Sequence, residues 1–247
     1  MKRITHPSLF IKSMRAIIIL LVLGFSSLGL SAQSVQVIGA VKQVKQLGRL
    51  AGKVQLDTLT GKNLYGLGPV AYLQGEILLW NDTTYVSQVS KGKNIVGIIP
   101  VIQAPFLVYA SVAEWGSRQV LDQTITTLPQ LQQIIEQKAV ATGRSLDEPF
   151  PFTLKGKAQK IIYHVMDKPE AQSEHNPKLH QQAKRFFTLV DEEVTLLGFY
   201  SRQHEGVFTH HGSFIHVHVI NQARTNMGHL DELNIQPGEL SLGLPLQ

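Results

Sequence analysis

Apolar positions along this chain alternate with polar ones more often than they recur every three or four residues. Residues 64–112 carry short apolar runs broken by glycine and Asn-Asp: Val70-Ala-Tyr-Leu73, Glu76-Ile-Leu-Leu-Trp80, Thr84-Tyr-Val-Ser87, Ile95-Val96 and Phe106-Leu-Val-Tyr-Ala-Ser-Val112. Runs of this length between turn formers read as strands. Trp80-Asn-Asp-Thr-Thr-Tyr85 reads as a hairpin, because Asn and Asp tolerate the left-handed backbone of a tight turn. The period then changes. Thr127-Leu-Pro129 opens a helix, with Thr127 as cap, Pro129 in the first turn, and Leu131, Ile134, Ile135 and Lys138 at helical spacing. Gly143 ends it.

Alternation returns afterwards. Phe152 to Met166 contains a strand at 160–166, Asp167 to Pro177 is a polar loop, and Lys178 to Phe187 reads as a short helix. Thr195 to Tyr200 is a buried strand, and Phe208 to Ile220 leads into another. Gln33 to Lys45 alternates only loosely and reads as a first strand or a leader. Many strands with two unevenly placed helices predict an α+β fold: mixed or antiparallel sheets forming a two-layer or barrel-like core. The expected organisation is one domain over 33–247, with a β-rich half to about 143 and a second half from about 144.

The strand that ends near residue 220 carries the candidate chemistry. In Phe214-Ile-His216-Val-His218, the two histidines sit at i and i+2, so they share a face about 6.6 Å apart. Asn221 to Asn226 is turn-rich, and a hairpin centred near 223–224 places His229 opposite His218. Three neutral imidazoles on one sheet face, with a coordination position left open, form the pattern of a catalytic zinc site. His210 and His211 read as a polar loop; neighbours on a strand face opposite ways, so at most one reaches a pocket. His175, His180 and His204 read as solvent-facing.

Composition narrows the options. The chain has no cysteine, which excludes disulfides and thiolate metal sites and leaves histidine and carboxylate as ligands. Residues 1–32 read as an export signal: Lys2, Arg3, Lys12 and Arg15 form a basic flank, Ala16 to Leu30 is apolar, and Ser31-Ala32 offers a cleavage site. The apolar run is short for a membrane span, which needs about 20 residues. The protein is therefore expected in the periplasm or outside the cell, free of the membrane after cleavage; the rival reading is an uncleaved N-terminal anchor. The chain has 23 Lys+Arg and 18 Asp+Glu; without the four signal cations the balance is 19 against 18. That near-neutrality gives a nucleic-acid partner no support.

The order of these segments resembles the α-acetolactate decarboxylase family, from about Gly61 to Asp231. The matching stretches are Gly66-Leu-Gly-Pro-Val-Ala-Tyr-Leu73-Gln-Gly-Glu76, Ala104-Pro-Phe106, Thr195-Leu-Leu-Gly198-Phe199, His216-Val-His218, and Met227-Gly228-His229. The resemblance implies a homodimeric zinc enzyme that converts 2-acetolactate to acetoin and carbon dioxide. It implies zinc on His216, His218 and His229, with Glu76 as an acid/base or water-orienting group.

The family also places an arginine where His164 falls, and an imidazole offers neither the fork nor the fixed charge of a guanidinium. Arg144, Arg185, Arg202 and Arg224 are possible substitutes. A carboxylate returning after the histidines is expected too; Glu232 and Glu239 are available, and Glu239, beside Pro237-Gly238, is the better placed. Asp231 can orient a metal histidine or end an exposed strand. A different class of reading is an exported metal-binding protein that kept the fold and lost catalysis. A cupin-like barrel also uses His-x-His, but needs a carboxylate a few residues on, and none follows His218 before Asp231.

Overall fold

A computed structural model describes Met1 and residues 34–170 and 174–247. Apart from Met1, the expected export signal lies outside the described residues. Among these, no helix is long and apolar enough to cross a membrane.

In chain order the elements are β1 (Gln36–Ile38), α1 (Val41–Lys45), β2 (Val54–Gln55), β3 (Leu64–Pro69), β4 (Glu76–Trp80), β5 (Thr83–Ser90) and β6 (Lys93–Ile98). β7 (Gln103–Ala104), β8 (Leu107–Ser111), β9 (Gln119–Val120), α2 (Leu128–Ala141) and β10 (Phe150–Met166) follow. The chain continues with α3 (Pro177–Gln182), β11 (Lys184–Tyr200), β12 (Ile215–Asn221), β13 (Met227–Asn234) and β14 (Leu240–Gly243). Every ladder between these strands is antiparallel. With the helices, this is the α+β fold the alternation predicts.

One sheet has the order β1-β8-β3-β4-β5-β6. The other runs β11-β12-β13-β10-β14-β9, and an additional β10–β11 ladder joins β10, β11, β12 and β13 into a closed ring. The described residues from Ser34 onward belong to one compact unit.

Alternation along β12 shows how the sheets meet. Ile215, Val217 and Val219 join a core with Phe150, Phe152, Tyr163 and the buried face of α2 (Leu131, Ile134, Ile135). Ile220 turns the other way, and with Leu197, Phe199 and Met227 it packs against Tyr65, Leu67, Leu78 and Tyr85 of the first sheet. Each large apolar side chain buried in this way contributes about 1.5–3 kcal/mol. His216 and His218 share the parity of Ile220, so they face the first sheet.

The hairpin at Asn81-Asp82 is present, with both residues at positive φ (47° and 65°), as the twist of a two-residue turn requires. Thr127 caps α2 by accepting a hydrogen bond from the Gln130 N–H. Three expectations are corrected. Val70 to Leu73 is not a strand but a tight turn, with Tyr72 and Leu73 at φ 58°. The helix expected over 178–187 stops at Gln182, because the chain from Lys184 onward pairs with β10 instead. A third helix, α1, forms in the stretch that read as a loose strand.

Candidate metal centre and its surrounding charges

A row of histidines crosses the ring. His218 on β12 is the register partner of His229 on β13, and His229 is in turn the partner of His164 on β10. His216, two residues before His218, stands on the same face. One ligand nitrogen from each of His216, His218 and His229 lies within 4.8 Å of the others. His216 Nε2 and His229 Nδ1 are 3.1 Å apart. The hairpin register expected from the turn at Asn221–Asn226 is the one observed.

The close approach of β13 to β10 depends on Gly228. A Cβ there would stand 2.4 Å from the His164 carbonyl oxygen and 2.6 Å from the Tyr163 ring. Asp231 occupies a bulge: Leu230 pairs with Tyr163 and Glu232 with Ile162, so Asp231 has no partner opposite. It lies two residues from His229 and faces the same way. Its Oδ2 is 2.6 Å from His164 Nδ1, and its Oδ1 is 3.8 Å from the Lys184 ammonium.

Glu76 reaches the histidines from the first sheet. Gly75, at φ 144°, lets the chain turn sharply into β4; a side chain there would meet the Ser87 carbonyl oxygen at 2.2 Å. Glu76 Oε2 then stands 3.7 Å from His218 Nε2. Burial holds the Glu76 carboxyl well above the usual carboxylate range, against the opposing pull of the Met166 backbone N–H and the Lys184 charge.

Burial also lowers the histidines. His216 and His229 are pushed well below the ordinary imidazole value, and His218 to about 3, helped by neighbouring imidazoles. Burial lowers His164 as well, and the bond to Asp231 partly offsets this. At neutral pH the three rings are therefore neutral, which is the ligating form.

Their nitrogens are poorly satisfied by protein. His216 Nδ1 and both ring nitrogens of His218 are buried and lack a hydrogen bond of ordinary geometry, although the backbone of Phe208 and Ile77 lies close enough to bias the rings. An unpaired buried donor or acceptor costs about 1–3 kcal/mol. Three converging imidazoles with orphaned nitrogens, in a chain without thiols, fit a transition metal that accepts nitrogen ligands.

The other expected site residues divide. Glu76 and His164 stand beside the triad. Glu239 does not: its carboxylate accepts the Gln236 N–H at 2.6 Å, and its carbonyl lies over Gly156, toward the opposite end of β10 from His164. Glu232 is exposed on β13. The four arginines are engaged away from the triad. Arg144 donates to the Pro245 carbonyl, Arg185 pairs with Asp167, Arg202 with Glu136, and Arg224 lies over the Tyr85 ring.

Two residues that read as peripheral belong to the site. His210 faces the rings of His229 and His216 at 5.3 and 6.1 Å, whereas His211 points to solvent. Asp231 bonds His164 rather than ending an exposed strand. Lys184 was hidden because its segment reads as a helix; strand parity would have set it on the face of Phe186, the partner of His164.

Two antiparallel sheets that enclose a histidine triad, with a buried carboxyl beside it, define a candidate metal-dependent enzyme. The family model for alpha-acetolactate decarboxylase matches residues 41–244, and the chain belongs to that family. Its fold is similar to the α-acetolactate decarboxylase of Bacillus subtilis strain 168 (TM-score 0.68, 14% identity, 86% of each chain covered). It is also similar to the acetolactate decarboxylase of Bacillus subtilis subspecies spizizenii (TM-score 0.67, 14% identity, 86% of this chain and 87% of that one). A Staphylococcus aureus protein of unknown function, similar to α-acetolactate decarboxylase, has the same fold (TM-score 0.66, 14% identity, 85% and 84% covered). No curated protein matches significantly.

Proposed function

We propose that this protein is a zinc-dependent carboxy-lyase that converts 2-acetolactate, or a closely related 2-hydroxy-3-keto acid, to acetoin and carbon dioxide. Membership of the family supports the reaction class. The observation that carries the site is the convergence of His216, His218 and His229 with nitrogens the protein leaves unpartnered.

His216, His218 and His229 would hold the zinc. The cation, when bound, supplies a Lewis acid that polarises a ketone and stabilises the negative charge left on its oxygen as carbon dioxide departs. Three neutral ligands leave the full dipositive charge to act on an anionic substrate. The two sheets close over the triad, which limits water at the reacting carbon. Glu76 lies against His218 from the opposite sheet, and in this reading its carboxyl gives a proton to the carbon that carbon dioxide leaves. His210 walls the triad beside His216 and His229. The signal-like residues 1–32 support a site of action outside the cytoplasm.

The test is metal analysis paired with an acetoin assay on the zinc-loaded protein. One zinc per chain with acetoin production is expected, and Glu76→Gln should cut turnover by about 100-fold or more at unchanged zinc content. Stoichiometric zinc without acetoin from the unaltered protein would instead support the metal-binding reading. Unchanged turnover in Glu76→Gln would remove Glu76 from the proton transfer.

A further inference from the structure

A lysine stands beside Asp231, the partner of His164, and neither the family motifs nor the histidine pattern selects it. Lys184 opens β11 and pairs with Met166; two residues on, Phe186 pairs with His164. Strand parity sets Lys184 on the site face, and its side chain is only 14% exposed. The ammonium is 3.8 Å from Asp231 Oδ1, beyond direct hydrogen-bond length. Its field reaches Glu76, His164 and His210. Lys45 of α1 adds a second positive field at His210 and at Lys184 itself.

Asp231 divides its two oxygens between His164 and Lys184. A desolvated ammonium is costly unless anions compensate, and one carboxylate at 3.8 Å compensates partly. An anionic group beside Lys184 would complete the pairing. Arg144, Arg185, Arg202 and Arg224 are engaged elsewhere.

We propose that Lys184 binds the carboxylate of the substrate, with Asp231 holding the ammonium in place. This rests on the reading of the substrate as a 2-hydroxy-3-keto acid. A lysine meets a carboxylate as a point charge, not as a two-pronged fork, so recognition at this position is by charge and not by planar geometry. Acetoin and carbon dioxide are both uncharged, so the contact is lost when the carbon–carbon bond breaks, and product release is favoured.

Calorimetric binding of two unreactive probes to the zinc-loaded full chain tests this. One is 2-hydroxy-2-methylpropanoate, a hydroxy acid without a ketone to drive its decarboxylation; the other is neutral acetoin. Lys184→Met should weaken the hydroxy acid by about 10- to 100-fold, the range for losing a charged hydrogen bond. It should leave acetoin affinity and zinc content within about twofold of the original. Lys184→Arg should retain hydroxy-acid binding. Lys184→Gln keeps a polar head near Asp231 should the methionine variant fail to fold, and it should show the same selective loss. Equal weakening of both probes, or no weakening of either, overturns the assignment. Charge-dependent hydroxy-acid binding in a protein that makes no acetoin would sink the proposed reaction and leave Lys184 standing. Acetoin production with unchanged KM in Lys184→Met would do the reverse.

Discussion

At the scale of single residues, the site depends on atoms that are missing as much as on those present. Gly228 has no Cβ, and only that absence lets β13 lie against the His164 carbonyl and the Tyr163 ring. Gly228→Ala would force His229 away from His216, because the obstructing atom at 2.4 Å is backbone and cannot rotate aside. Zinc affinity should fall by at least about tenfold, with a stability loss of about 1–3 kcal/mol. Metal titration and urea unfolding measure the two effects, and normal zinc affinity in the alanine variant would refute the packing argument. The triad itself was legible in the sequence, since i, i+2 parity and a turn-rich spacer fix its geometry locally. Asp231 was not, because a bulge is a property of two strands together; only the register shift at Ile162/Tyr163 aims it at His164.

At the scale of elements, the site needs β4 of one sheet to meet β12 and β13 of the other, and a polar clamp sets that meeting. Asn94 of β6 accepts the Met227 backbone N–H at 2.9 Å, and Ser87 of β5 donates to the Met227 carbonyl at 2.7 Å. Asn94 also donates to Ser87, and the Tyr163 hydroxyl lies 3.1 Å from Asn94 Oδ1. Met227 is thus bound on both its backbone groups by the first sheet, one residue before Gly228. Asn94→Ala leaves a buried N–H unpaired and should cost about 1–3 kcal/mol. Because the three candidate metal ligands all belong to the second sheet, metal binding should persist while Glu76 loses its position and turnover drops. An activity loss matched by an equal zinc loss would contradict this division of labour. The clamp was invisible in the sequence: Ser87 and Met227 are 140 residues apart, and neither stands out by type. The α2 cap, by contrast, could be read directly, because Thr127, Pro129 and the apolar spacing all lie within one segment.

At the scale of the whole molecule, metal and fold should be coupled. The fold leaves buried imidazole nitrogens without a protein partner, so an ion that takes them up stabilises the folded chain. A ligand that binds only the folded state adds RT ln(1 + [L]/Kd), or about 4 kcal/mol at a thousandfold excess over Kd. For a unit of this size, each kcal/mol moves the midpoint of thermal unfolding by about 2–4 °C. Chelation should therefore lower the midpoint of the loaded protein by roughly 8–16 °C. His216→Ala should melt near the chelated value and ignore both chelator and zinc, since two imidazoles no longer hold the ion firmly. Glu76→Gln should keep the full zinc-dependent rise, because its carboxyl stands at the site without belonging to the ligand set. Melting curves of the three proteins with and without chelator separate these cases. An unaltered midpoint in the original protein on metal removal would mean that the three rings do not share a cation.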